Sequence, residues 1–162
     1  MLVVLPHFDA LPSIVPVGRF LIRTQYLVVA LSHIAVYPGG CMLEVQVSGK
    51  AGGDGPQMHS SDALDQLVFV VRFGAEITAV MDGWHHLARN NGPLQLSQLG
   101  GETGASASRA DSTRTLRLHP LPPPQAGTLS ILAPDLGPRA TACPLDGRAI
   151  GAAGQHAQPF WS

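Results

Sequence analysis

Histidines are the residues of this chain best suited to metal binding or acid–base chemistry, and the chain has seven of them. His85 and His86 are adjacent, so in an extended strand their side chains point to opposite sides and need a turn to hold one ion. The other histidines are scattered and show no HxH or HxxxH spacing, namely His7, His33, His59, His119 and His156. Neither a metal site nor a cofactor is therefore predicted.

Nucleophilic catalysis has no recognisable motif here. The sequence contains no G-x-S-x-G elbow, no HExxH, no phosphate-binding loop and no G-x-G-x-x-G after a strand. Its 11 acidic residues fall mostly in predicted loops, so paired carboxylates for glycoside hydrolysis are not apparent. A hydrolase built from distant Ser, His and Asp residues remains open, because such triads assemble only in the fold. A protein without enzymatic activity is favoured.

The two cysteines, Cys41 and Cys143, both fall in predicted strands and could meet across a sheet. Buried thiols in a reducing cytoplasm are favoured over a disulfide, because small secreted domains usually carry several bridges. The apolar start of the chain lacks the positive residues of a secretory signal. The longest apolar run, residues 26–37, is too short to span a bilayer. The sequence thus predicts a cytoplasmic protein without a membrane segment.

Composition favours one folded domain over residues 1–162. Hydrophobic residues make up 45% of the chain and charged residues only 13%, which suits a single compact core. The net charge is −1, so there is no basic field to displace counterions from a nucleic acid. The sequence therefore predicts that the protein does not bind nucleic acid.

Short apolar and alternating segments separated by turn residues dominate the sequence. Residues 41–49 alternate apolar and polar side chains, and Pro38, Gly39 and Gly40 form a turn signal before them. In residues 67–73 the period of two places the large side chains of Leu67, Phe69, Val71 and Phe73 on one face. The predicted strands are residues 14–22, 26–37, 41–49, 64–73, 75–81, 94–99, 113–119, 127–133 and 139–145. They predict an all-β fold, an antiparallel β-sandwich of seven to nine strands, immunoglobulin-like or jelly-roll-like, with a closed barrel as the alternative. Residues 147–153 are expected to form a minor C-terminal helical turn.

Several segments are predicted to connect or flank the strands. Residues 1–13, interrupted by prolines, are expected to form an extended N-terminal arm. Residues 50–61 and 100–112 are rich in Gly, Ser and Ala, which predicts flexible loops. The proline-rich residues 120–124 are interpreted as a stiff connector rather than as a ligand for a proline-recognition domain. Phe160 and Trp161 are expected to fix the C-terminus to the sandwich.

The candidate binding residues lie between two turn signals, Asp82-Gly83 and Asn91-Gly92: they are Trp84, His85 and Arg89. An exposed Trp84 would contact a partner, whereas a buried one would close an end of the sandwich. The favoured function is a non-catalytic protein-interaction module, because low charge leaves apolar and small polar surface for contact. The alternatives are the hydrolase and a carbohydrate-binding module, for which the 2 Trp, 2 Tyr and 5 Phe leave few exposed aromatics. No oligomeric state is predicted.

Several quoted strings together resemble a family of uncharacterised bacterial β-sandwich proteins. They are VVALSHIAVYPGGCMLEVQVSG after Pro16-Val-Gly-Arg, then LVFVVRFG, LRLHPLPPPQAGTLSILAPDLG and LDGRAI. The resemblance covers residues 14 to 150 approximately and implies a β-sandwich without implying an activity. Residues 113–119 differ from the family pattern, since Leu and Thr stand where aromatic residues are expected. An aromatic binding surface is therefore not implied.

Overall fold

The computed structural model describes residues 9–50, 67–74, 77–82, 89–91, 94–105, 109–132 and 142–161. The strands are β1 (Ala10–Leu11), β2 (Ser13–Arg23), β3 (Leu27–Tyr37), β4 (Gly40–Lys50), β5 (Val68–Phe73), β6 (Ile77–Asp82), β7 (Arg89–Asn91), β8 (Gln95–Ala105), β9 (Arg109–His119), β10 (Ala126–Leu132), β11 (Cys143–Asp146) and β12 (Gln158–Pro159). One helix, α1 (Gly147–Gln155), follows β11 in the described part. The fold is all-β with a minor C-terminal helix, as predicted.

Two five-stranded antiparallel sheets form the sandwich. The front sheet has the order β2-β3-β4-β9-β8, and the back sheet has the order β11-β10-β5-β6-β7. A short ribbon, β1 with β12, joins the two ends of the described chain. Because the strands form two separate open sheets, the closed barrel considered as an alternative is wrong.

One apolar core lies between the sheets. The alternation predicted for residues 41–49 and 67–73 is confirmed, because Leu43, Val45 and Val47 of β4 and Phe69, Val71 and Phe73 of β5 are all buried. These side chains belong to one cluster that includes both sheets. Removal of this apolar surface from water drives the two sheets together.

The turn predicted before β4 is also present. Tyr37 pairs with Gly40, so Pro38 and Gly39 alone connect β3 to β4. A Cβ on Gly40 would lie 2.9 Å from the carbonyl oxygen of Leu118. Glycine is therefore required where β4 enters the sheet beside β9.

The prediction of a loop over residues 100–112 is wrong for residues 100–105 and 109–112, and residues 106–108 lie outside the described part. β8 extends to Ala105 and β9 begins at Arg109, and their residues pair up to Ala105 with Ala110. The cause is nonlocal, since β4 continues to Lys50 and its backbone pairs with β9 as far as Arg109. Backbone hydrogen bonds thus order a segment that lacks apolar alternation.

The described strands number twelve, above the predicted seven to nine. The additional ones are β1, β7 and β12, which have two or three residues each and are too short to show a hydrophobic period. Of the N-terminal arm, residues 10–11 are β1 and residues 1–8 lie outside the described part. Of the predicted loop at 50–61, Lys50 ends β4 and the remaining residues lie outside it as well.

The predicted helical turn is confirmed and is slightly longer than expected. Asp146 is its N-cap, and its Oδ1 accepts hydrogen bonds from the backbone N–H groups of Arg148 and Ala149 at 3.0 and 3.1 Å. Ile150 and Ala153 face the core.

Across the described residues, no helix has the length and apolar character needed to cross a membrane.

Cys41 and Cys143 are free thiols, and both are buried. Burial raises the pKa of Cys41 to about 12, because the charged thiolate would lose its hydration. Burial also raises the pKa of Cys143. The predicted reading as buried thiols is confirmed, and neither sulfur is placed to act as a nucleophile.

Candidate functional site

The outer face of the front sheet carries a groove of about 580 Å³, which we call the outer-face groove. The residues that line it come from every strand of that sheet: Phe20, Val28, Ala30, Gln46, Val47, Ser48, Gly104, Arg109, Asp111, Ser112 and Thr113. Its volume falls within the range typical of small-molecule sites. The groove is therefore the candidate functional site.

Strand register places two rows of side chains across the groove. Directly paired residues on β3, β4 and β9 form each row: Val28, Ser48 and Asp111 in one, Ala30, Gln46 and Thr113 in the other. Successive side chains alternate between faces, so these residues point outward while their neighbours fill the core. The floor of the groove thus combines short apolar and short polar side chains.

Asp111 is the centre of the polar contacts in the groove. Its Oδ1 accepts one hydrogen bond from the Ser48 hydroxyl and another from Arg109 Nε at 2.9 Å. The hydrogen bond from Ser48 and then that from Arg109 lower the pKa of Asp111, so this carboxyl is ionised at neutral pH. Among the described residues, none donates a hydrogen bond to Asp111 Oδ2, which leaves this oxygen available to a ligand.

Phe20 borders the groove on the edge strand β2. It pairs with Ala30, so its ring lies on the outer face, where the side chain is 49% exposed. The Arg23 guanidinium lies 4.7 Å from the ring centroid, a cation–π distance. Arg23 therefore helps to hold an exposed aromatic ring in place.

A second recess of about 250 Å³ adjoins the groove and shares Val28, Ser48 and Arg109 with it. Its wall is the turn between β2 and β3, where Thr24 Oγ1 accepts hydrogen bonds from the N–H groups of Tyr26 and Leu27 at 3.2 and 2.9 Å. These bonds fix the turn. The recess extends the groove toward the end of β4.

Of the candidate binding residues from the sequence, only Arg89 lies in the described part of the chain, and it does not line this groove. Trp84 and His85 lie outside the described residues. Arg89 is the first residue of β7 and its backbone pairs with Val80 in the back sheet, on the other layer of the sandwich. The sequence did not identify the groove residues as a site, although the alternation of residues 41–49 predicts that Gln46 and Ser48 lie on the exposed face.

Ser32 and His33 are the contact closest to a catalytic pair in the described structure, with 3.1 Å between Ser32 Oγ and His33 Nδ1. Glu44 lies opposite His33 in the sheet, but its Oε1 accepts a hydrogen bond from the Thr115 hydroxyl at 2.7 Å. Within the described residues, no hydrogen bond joins His33 to a carboxylate. The third member of a triad, which would orient the imidazole, is therefore missing from this contact.

Metal ligands do not cluster in the described part of the chain, where no three His, Cys, Asp or Glu side chains are placed to hold one ion.

Buried polar groups occur on β9, where Arg114 is only 3% exposed and its Nε donates to Ser112 Oγ at 3.1 Å. Both residues continue the inward face of Leu116 and Leu118. The same alternation, extended toward the N-terminus, would have found them.

No protein-family model matches the chain, and no curated protein matches it. The resemblance to uncharacterised bacterial β-sandwich proteins stays a prediction. The geometry of the outer-face groove therefore carries the functional argument.

Proposed function

We propose that the protein is a non-catalytic binding module and that the outer-face groove is its recognition surface. The observation that carries the proposal is the set of polar groups in the groove that have no hydrogen bond to another described residue: the Gln46 amide, the Thr113 hydroxyl and Asp111 Oδ2. They share the floor of the groove with the apolar side chains of Val28 and Ala30. Such groups can bond a ligand without first breaking an internal contact.

Catalysis is disfavoured by the same geometry. The Ser48 hydroxyl donates to the Asp111 carboxylate, and no histidine of the described ranges forms a hydrogen bond with that hydroxyl. The Ser32–His33 contact involves neighbouring residues and lacks an orienting acid in the described structure. The free thiols of Cys41 and Cys143 are buried, and they support a reducing compartment, the cytoplasm.

A second candidate function, recognition of another protein, is favoured by the ribbon formed by β1 and β12. The Phe160 N–H donates to the Asp9 carbonyl at 2.8 Å, which fixes the backbone, yet Phe160 and Trp161 are 56% and 77% exposed. Leu11 on the partner strand is 58% exposed. Several large apolar side chains exposed along one ribbon are typical of protein contact surfaces.

Ligand mapping by NMR tests the primary proposal. We expect small-molecule fragments to shift the amide resonances of the groove residues in ¹H–¹⁵N spectra of the whole chain. Ala30→Leu fills the floor and should weaken this binding at least about tenfold. Ala35→Leu makes the same change on the same face of β3, outside the groove, and should leave the binding unchanged.

Two results contradict the proposal. One is a set of fragments whose shifts lie elsewhere or persist in Ala30→Leu. The other is turnover of ester or glycoside substrates that is lost in His33→Ala.

Copurification tests the second candidate function, recognition of another protein. A protein that copurifies with the wild type should be lost with Trp161→Ser and kept with Phe20→Ser, and the reverse pattern would assign that protein to the groove.

A further inference from the structure

We infer that the ligand of the outer-face groove is a neutral oligosaccharide, an inference that rests on the proposed role of the groove as the binding surface. The charged side chains among the lining residues are Arg109 and Asp111, which pair with each other at 2.9 Å. The formal charges of the lining residues therefore cancel, and the Arg23 guanidinium over the Phe20 ring stands outside the lining. A phosphate, a sulfate or another charged ligand would have to compete with this pair, whereas an uncharged ligand leaves it intact.

The groove also offers an apolar surface of the right kind. Val28 and Ala30 form part of its floor, and the half-exposed ring of Phe20 stands beside them at the sheet edge. A pyranose ring has a face of C–H groups that packs on aromatic and aliphatic carbon, and this contact removes apolar area from water. Phe20 is thus placed to stack against a sugar ring.

The hydrogen-bonding groups match the hydroxyls of the same ligand. Asp111 Oδ2 accepts, the Gln46 amide donates and accepts, and the Thr113 hydroxyl does both. Sugar hydroxyls also donate and accept, so vicinal pairs of them can bond to planar carboxylate and amide groups. The Ser48 and Arg109 hydrogen bonds to Oδ1 fix the plane of the Asp111 carboxylate before a ligand arrives.

A peptide strand fits this surface less well. Peptides that bind sheets commonly add a strand at an unpaired edge, where backbone groups are free. The floor of the groove is made by β3, β4 and β9, and each of these strands already has a neighbour on both sides. The groove therefore offers side chains rather than backbone groups, and side-chain recognition of hydroxyls is what a saccharide requires.

Isothermal titration calorimetry of the full chain tests the inference. The probes are the neutral pentasaccharides of maltose, cellulose, xylan, laminarin, mannan and chitin series, with tetragalacturonate as an acidic probe and a Gly-Ser decapeptide as a peptide probe. We expect at least one neutral probe to bind. Phe20→Ala and Gln46→Ala should each weaken that binding at least about tenfold.

Ile14→Ala provides the matched control, because Ile14 is also an exposed apolar residue of β2, 53% exposed, and does not line the groove. It should leave the affinity unchanged, and circular dichroism should show the same fold for all variants. The inference is overturned by no neutral binding at millimolar concentration, by binding of the acidic or peptide probe alone, or by neutral binding that both groove variants retain. If the NMR fragments still map to the groove, only the ligand class fails and the binding module stands.

Discussion

Gly127→Ala is expected to destabilise the protein strongly, because β10 passes directly over a buried ring. Gly127 pairs with Phe73 on β5 and with Leu145 on β11. A Cβ at Gly127 would lie 2.5 Å from Cε1 of the Phe73 ring and 2.7 Å from the Arg72 carbonyl oxygen. Ordinary contacts between carbon atoms are about 3.5–4.0 Å, so the added methyl would overlap the ring by roughly 1 Å.

The size of the destabilisation depends on which of the atoms around Gly127 can move to relieve the overlap. Phe73 is completely buried, so its ring cannot turn into solvent, and the carbonyl of Arg72 belongs to the sheet backbone. Overpacking of a core usually costs about 1–3 kcal/mol, and a clash with backbone places this substitution near 3 kcal/mol. For a chain of this size that corresponds to a melting temperature lower by about 6–12 °C.

Thermal and urea unfolding measure the effect, and Gly151→Ala is the matched control. Gly151 lies within α1, and a Cβ there meets no atom within 4 Å. Alanine should therefore stabilise the helix by about 0.5–1 kcal/mol. A Gly127→Ala variant within about 0.5 kcal/mol of the wild type would refute the close approach. Phe73→Leu should recover part of the loss in the double variant, as a coupling of at least about 1 kcal/mol.

Three further outcomes are expected. Asp146→Ala should lower the free energy of unfolding by about 1 kcal/mol in urea titrations, because two backbone N–H groups of α1 lose their acceptor, and an unchanged midpoint would contradict the cap. The thiols of Cys41 and Cys143 should react with Ellman's reagent at pH 8 far more slowly in the native than in the urea-unfolded protein, and rapid native reaction would contradict their burial. Because burial raises the pKa of the Cys41 thiol from its ordinary 9.0 to about 12, the stability that the neutral thiol contributes is complete below pH 9 and is lost as the pH rises toward 12. Cys41→Ala should flatten that alkaline decline, and an equally steep decline would contradict the assignment.

Local sequence determined most of the strands. The period-2 alternation over residues 41–49 identified the buried face of β4, and the Pro38-Gly39 turn identified its hairpin with β3. These signals are local because adjacent side chains of a strand face opposite environments. The same reasoning placed Gln46 and Ser48 on the exposed face, and both line the candidate site.

Asp111 shows where local reasoning failed. Residues 100–112 are rich in Gly, Ser and Ala and have no apolar period, which predicts a loop. The backbone of β4 pairs with this segment and makes it a strand. Only then does the carboxylate lie beside Ser48, 63 positions away in the chain.

The sequence by itself determined the fold class, the turn before β4, the helix after Asp146 and the buried faces of the alternating strands. Each of these features depends on residues that are close together in the sequence. The tertiary structure alone decided which strands are neighbours, where the outer face curves into a groove, and that Phe20, Gln46 and Asp111 share it. The physical reason is that strand pairing depends on backbone hydrogen bonds between distant segments, and these carry almost no signature in side-chain type.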